Sequence, residues 1–262
     1  MHAAASHSSD NAVTSLGDIA THGDIVAIVG AGGKTTTMFA LAHALADQGL
    51  RVVTSKSTVI HAPSMVKSPK LIVSKPTSWS KKLPEVLKLH PIVTVVTSNP
   101  TPRRFEGIEP EMAPALLHDS RADVLIVEAD GARHRLLKLP AGHEPAMPKG
   151  TTTVLPVGCL AAVGAQLTRR FVHRPELAEQ LLGLSTGATL TSTNVVAILL
   201  SEQAGLKSAP PTASKWPVLT AATAIDTAEL GKLRKLLRRE SKITGWIEAD
   251  QDWDFSVHWN RS

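Results

Sequence analysis

The stretch "IVGAGGKTTTMFALAHALADQG", residues 28–49, sets three glycines and a lysine between a run of aliphatics and a helical pattern. Upstream, "DIVAIVG" at 24–30 is a short apolar run stopped by glycine, the pattern of a strand buried on both faces. Downstream, Met38, Leu41, Ala42 and Leu45 recur at helical spacing over residues 35–47 before Gly49 closes the element. "RVVT" at 51–54 reads as a second strand, so the segment predicts a βαβ unit with parallel pairing and a right-handed crossover.

Glycines after a buried strand let the backbone fold around an anion with its N–H groups inward, and the helix start adds the positive end of its dipole. Lys34 is placed to reach terminal phosphates, and the Thr35 hydroxyl to ligate Mg²⁺. A strict G-x-x-x-x-G-K-[ST] loop requires glycine at position 28, where this chain has Ile28. The fit is to a shorter G-x-x-G-K-T running Gly30, Ala31, Gly32, Gly33, Lys34, Thr35, with Thr36 next. That form resembles the loops of Mur-type ligases as much as those of GTPases. It reads as a nucleoside-triphosphate site, with ATP and GTP both open.

Such a loop needs a carboxylate on a neighbouring strand end to hold Mg²⁺ or orient a water. "DVLIVEADGAR" at 123–133 supplies Glu128 and Asp130 just past four consecutive aliphatics. Glu128, Ala129, Asp130 and Gly131 also read as E-x-x-G, similar to the metal-loop signature of metallochaperone GTPases. Lys34, Glu128 and Asp130 are thus the candidate catalytic set, and Thr35, Glu128 and Asp130 the candidate metal set. Alternate strand residues share a face, so the division of roles between the two acids stays open. The following "ARHRLLKLPAGHEP" carries Arg133, His134, Arg135, Lys138, His143 and Glu144 where open α/β sheets bind ligands. Arg133 and Arg135 are candidates to hold an anionic second substrate. His143 and Glu144 can be read as an acid–base pair or as metal ligands.

Around this centre the chain alternates strands and helices. Strand runs are "LIV" at 71–73, "IVTVV" at 92–96, "DVLIVE" at 123–128, "TTVLPV" at 152–157 and "PVLTA" at 217–221. Helical stretches are 109–118, 175–182, 194–204 and 227–240. The expected fold is α/β, P-loop NTPase-like, with a mainly parallel doubly wound sheet. A loose tail spans 1–20, one nucleotide-binding domain spans 21–262, and "ITGWIEADQDWDFSVHWN" adds an edge strand or hairpin. Only 3% of residues are aromatic, five Trp and four Phe with no Tyr, so the core must be aliphatic. A net charge of +5 and a pI near 9.4 suit anionic partners. The lone Cys159 argues against a disulfide scaffold and reads as buried packing. With no run of 18 apolar residues and no signal-peptide pattern at 1–17, the reading is a cytoplasmic protein without a membrane partner. Nucleic acid is disfavoured: "ELGKLRKLLRRE" at 229–240 is a helix with a solvated basic face, and aromatics for base stacking are few.

"VGAGGKTT", "VLIVEADGAR", "KLPAGHEPAMP" and "FVHRPELAEQLLG", in that order over roughly residues 20–235, resemble the selenium-dependent hydroxylase accessory proteins, the YqeC family. The resemblance implies a P-loop nucleotide-binding protein, associated with maturing a selenium-dependent molybdenum hydroxylase or its cofactor, whose own reaction is poorly defined. It implies that Gly30, Gly32, Gly33, Lys34 and Thr35 bind phosphate. It also implies that Glu128 and Asp130 serve the metal, and that His143, Glu144, His173, Arg174 and Glu176 belong to the family's own site. GTPases read guanine with N-K-x-D; the matching place here is Thr223, Ala224, Ile225, Asp226, and Asp226 is the better fit to a helix N-cap. The leading expectation is a Mg²⁺-dependent NTPase accessory factor. The alternatives are a kinase or Mur-like ligase acting on a small anion held by residues 133–138, and a nucleotide-gated binding module with negligible turnover.

Overall fold

A computed structural model describes residues 15–57, 59–61, 70–101 and 104–260. The glycine stretch joins β1 (Ile25–Gly30) to α1 (Lys34–Asp47), and β2 (Val52–Lys56) completes the first βαβ unit. The chain continues through β3 (Val59–His61), β4 (Leu71–Val73), α2 (Trp79–Leu89), β5 (Ile92–Val96), β6 (Ser98–Thr101), β7 (Arg104–Glu106), α3 (Ala113–Ser120) and β8 (Val124–Glu128). The second half holds β9 (Leu137–Lys138), β10 (Thr153–Cys159), β11 (Val172–His173), α4 (Pro175–Leu182) and α5 (Ser192–Leu200). It ends with β12 (Ser214–Lys215), β13 (Val218–Thr220), α6 (Thr227–Leu237), β14 (Gly245–Ala249) and β15 (Phe255–Trp259).

The main sheet has ten strands in the order β15-β14-β13-β10-β1-β8-β2-β5-β4, with β12 beside β10. Every pairing in it is parallel except β14 with β15, a C-terminal hairpin that closes one edge. Alternation along the strands sorts the core into two faces. Val26, Ile28, Val52, Val124, Ile126, Val218 and Ile247 pack on the α1 side with Met38, Leu41 and Leu45. On the other face, Val53, Leu125, Val127, Val93 and Val95 meet α2 and α3 through Trp79, Leu83, Leu87 and Leu116. There too Leu219 and Trp246 meet α5 and α6 through Val195, Leu199, Leu233 and Leu237. Helices on both faces of a largely parallel sheet make the fold doubly wound, with β1 near its middle and the glycine loop at the carboxyl edge.

Four features differ from the sequence reading. The expected tail gives way at Ser15, which caps a short 3₁₀ turn over Leu16–Ile19; Leu16, Ile19 and Ala20 pack into the α1-side core, while residues 1–14 lie outside the described residues. Helix α2 lies outside the helical stretches read from the sequence; Pro84 stands inside it, and the buried stripe of Trp79, Leu83 and Leu87 outweighs the hydrogen bond Pro84 forgoes. A three-stranded antiparallel sheet, β3-β7-β6, stands apart from the main sheet. Helix α5 is set by the Thr191–Asn194 capping box and ends at Leu200, four residues short of the span read from the sequence.

Candidate functional site

The glycine loop leaves β1 and turns into α1 in a shape that side chains would spoil. Gly32 has φ 77°, and a Cβ there would stand 2.5 Å from Cys159 Cβ and 2.6 Å from the Leu136 carbonyl oxygen. At Gly33, φ is 140° and a Cβ would meet the Trp253 ring at 2.6 Å. The loop amides divide into two sets. Gly30 N–H donates to Asp130 Oδ2 at 3.0 Å and Ala31 N–H to the Val157 carbonyl at 2.9 Å, so both are tied to the sheet. The N–H groups of Gly32 and Gly33 make no hydrogen bond among the described residues, and those of the first turn of α1 have no helical partner. The Ala31 N–H is therefore committed to the sheet, while those of Gly32, Gly33, Lys34 and Thr35 are left without a partner among the described residues.

Beside the loop, charges alternate in a buried chain. Lys34 Nζ lies 2.6 Å from the Gly30 carbonyl oxygen, 3.1 Å from Asp130 Oδ1 and 3.8 Å from Glu128 Oε1. Glu128 Oε2 accepts from Thr35 Oγ1 at 2.9 Å and faces Lys56 Nζ at 2.7 Å. Asp130 Oδ2 faces Lys138 Nζ at 3.1 Å, and Lys138 also bonds the Gly131 carbonyl at 2.6 Å and meets Glu144 Oε1 at 3.1 Å. Glu144 Oε2 then pairs with Arg174 Nη1 at 2.6 Å. Lys34, Lys56, Lys138, Glu128 and Asp130 are all buried, a placement that is affordable only because each charge has an opposite beside it. Burial pushes the Glu128 carboxyl up, but Lys56 and then Lys34 together hold it below the usual carboxylate range. Burial likewise opposes ionisation of Glu144, yet the Ala141 N–H, Lys138 and Arg174 bring it down to about 2.

A family model described as "YqeC protein" matches residues 26–176, which include the loop and every member of this chain of charges. The Escherichia coli (strain K12) protein described as "Uncharacterized protein YqeC" is 32% identical over 187 residues, 71% of this chain and 71% of that protein. The chain belongs to the YqeC family. Its glycine loop between a central parallel strand and the first crossover helix makes the YqeC-family fold seen here P-loop NTPase-like. A looser likeness exists to the crystal structure of FtsY from Mycoplasma mycoides, at 13% identity and a TM-score of 0.31. It covers 86% of this chain and 52% of that one, so the chain spans about half of that structure's length. Among the described residues, no helix is long and apolar enough to cross a membrane.

The other sequence-derived residues of this YqeC-family chain divide in two. Glu144 and Arg174, both half-buried, extend the chain of charges, and His173 lies beside it: β9 pairs with β11 in the register Lys138↔His173, and Arg174, at φ 65°, precedes α4 with its guanidinium on Glu144 and the Leu139 carbonyl. Burial, then the Arg174 and Lys138 charges, lower the His173 pKa against the opposing pull of Glu144. Arg133 and His143 are exposed and make no ion pair among the described residues, and Arg135 bonds only the Arg133 carbonyl, at 3.3 Å. Glu176 is exposed and lies 3.9 Å from Arg169, away from the network. Asp226 caps α6 by accepting from Glu229 N–H at 2.8 Å.

One member of the network, Lys56, escapes a reading of the sequence as a site, and Lys138, read there only as one of the loop cations, has a different place. Lys56 ends β2 and is the register partner of Glu128, a relation set by pairing between strands 72 residues apart. Lys138 belongs to β9 and is buried together with its neighbours Leu137 and Leu139, so the strand is covered on both faces. The donor set also fits a hard cation. Thr35, Glu128 and Asp130 offer oxygens, with Thr35 Oγ1 2.9 Å from Glu128 Oε2. This suits Mg²⁺, which is bound through one or two carboxylates together with phosphate and water.

Proposed function

We propose that the chain is a Mg²⁺-dependent nucleoside-triphosphate-binding accessory factor with hydrolase activity, serving maturation of a selenium-dependent molybdenum hydroxylase or its cofactor. The observation that carries the reading is Lys34, buried with its ammonium on the Gly30 carbonyl and Asp130, in the same loop as the unpartnered amides of Gly32 and Gly33. A phosphate tail laid on this loop meets oriented N–H donors, the positive end of α1 and an ammonium group. Thr35, Glu128 and Asp130 would hold Mg²⁺, which supplies neutralisation of phosphate charge. Lys56 and Lys138 fix the two carboxylates from their outer sides. Either carboxylate could serve to orient a water. The client is inferred from the family resemblance in motif order.

Phosphate release by the purified chain with Mg²⁺ and no second substrate, together with nucleotide-dependent capture of a molybdenum hydroxylase, is the expected result. Absence of both would overturn the reading. A second reading, ATP-dependent transfer to a small anionic substrate, is favoured by the convergence of Lys138, His173 and Arg174 at the outer end of the charged chain. Phosphate release that requires a cofactor precursor would select it.

A further inference from the structure

The main sheet ends on β4 at one edge and β15 at the other, and the two edges are built differently. β4 is blunted in the ordinary way: it is three residues long, Lys70 and Lys75 flank it, and Lys82 Nζ reaches the Val73 carbonyl at 3.5 Å. β15, "FSVHW" over Phe255–Trp259, has none of these protections. It carries no lysine, acid or proline, and its pairing with β14 runs from Gly245↔Trp259 to Ala249↔Phe255 without a bulge. Parity along this ladder shows which backbone groups the edge leaves open. Asn260 N–H donates to the Thr244 carbonyl at 2.9 Å and Asp250 N–H to the Asp254 carbonyl at 3.1 Å, so the even-numbered residues of β15 are the ones hydrogen-bonded to β14. The N–H and C=O groups of Phe255, Val257 and Trp259 point away from β14 and have no backbone partner among the described residues. The 3₁₀ turn over Leu16–Ile19 comes close to β15 without a backbone hydrogen bond to it. An open row of this kind is a template for another strand.

The strand is also complementary to itself. Laid antiparallel to a second copy about Val257, it sets Phe255 opposite Trp259, Ser256 opposite His258 and Val257 opposite its own counterpart, and no acid or lysine meets its like. Odd-numbered residues share one face. On that face Phe255 and Val257 pack toward the α1-side core, and Trp259, 40% exposed, stands edge-on to the buried Trp216 with ring centroids 4.6 Å apart. Pairing about Val257 would close all of the outward N–H and C=O groups and lay each Trp259 against the Phe255 of the other strand, the kind of cross-strand aromatic contact that stabilises antiparallel pairs.

We propose that β15 is a dimerisation edge: two copies of this chain pair their β15 strands antiparallel about Val257, joining their sheets into one across a two-fold axis. The shared strand is about 17 Å long, so the interface stands at the small end of the range and the dimer is a reversible one of about micromolar affinity.

The test is sedimentation velocity on the full chain from about 1 to about 300 µM, over which the mass should rise from the 27.8 kDa of the monomer toward twice that value. Val257→Pro is the variant that isolates the edge. The N–H it removes faces away from β14, a place where an edge strand tolerates proline, so the variant should keep its far-UV circular dichroism and a cooperative melt while dimerisation weakens by about 10-fold or more. A cysteine pair reads the register. Val257→Cys meets its own copy on the axis and should form a covalent dimer under copper-catalysed air oxidation faster than Ser256→Cys, whose opposite residue is His258; the native Cys159 is buried. A wild type that stays monomeric throughout would overturn the proposal and leave the edge to the residues before Ser15 or to a strand of another protein. A folded Val257→Pro that dimerises as the wild type does, or equal cross-linking at positions 256 and 257, would overturn it as well. If Val257→Pro does not fold, the wild-type concentration series and the cysteine pair still decide.

Discussion

Two cationic regions flank the carboxyl edge of the sheet, and they behave in opposite ways. Lys34, Lys56 and Lys138 are buried, and each meets at least one carboxylate within 3.1 Å. Arg133, Arg135 and His143, a few residues away in sequence, make no ion pair among the described residues. Position on a strand or at a helix start accounts for the difference. Lys34 opens α1, Lys56 closes β2 and Lys138 closes β9, so backbone pairing delivers them to a common depth. Residues 133–135 belong to a turn in which Arg133 and His134 have φ of 48° and 58°, and no neighbouring strand holds them. Charge richness alone does not mark a site; charge at element ends that converge does.

The comparison can be broken most forcefully at Asp130. Asp130→Ala leaves Lys34 and Lys138 buried and facing each other, and a loss of about 3–5 kcal/mol is expected in denaturant unfolding. A cost below about 1 kcal/mol would mean that the chain of charges is not a unit. Lys34→Ala comes next: removing the ammonium beside the loop should weaken triphosphate binding by about 100-fold or more, as one lost charge-assisted contact of about 3 kcal/mol implies. Unchanged affinity in calorimetry would refute the role given to Lys34.

Glu144 sharpens the comparison through pH. Its folded pKa of about 2 lies below the ordinary 4.5, so its contribution is complete above pH 4.5 and is lost as pH falls toward 2. The contribution is on the order of 3 kcal/mol. Acid unfolding of Glu144→Gln should be shallower over that interval; a superimposable curve would count against the pairing with Lys138 and Arg174. The smallest effect belongs to the exposed region. Arg133→Ala with Arg135→Ala should change stability by less than about 0.5 kcal/mol, measured by thermal unfolding, and a larger loss would show that the turn is held by contacts of those side chains.

The runs of consecutive aliphatics made the parallel strands legible, because strands buried on both faces have no polar alternation to confuse with a helix. The glycine loop was legible because strand, glycines, lysine and helix follow one another locally. Glu128 and Asp130 were legible as strand-end acids. Lys56 was not: its meaning comes from the β2–β8 register, which local patterning does not encode. Helix α2 was hidden by Pro84, and the β3-β7-β6 sheet by the polar run of Ser98–Thr101. Trp253 reaches Gly33 only because the β14–β15 hairpin folds back over the loop, a contact spanning most of the chain.

The most direct test of the central claim is a crystal structure of the full chain with Mg²⁺ and a non-hydrolysable triphosphate. The expected density has phosphate oxygens within about 2.7–3.2 Å of the Gly32, Gly33, Lys34 and Thr35 amides and of Lys34 Nζ. Triphosphate density elsewhere on the molecule, with this loop making no contact to it, would contradict the account.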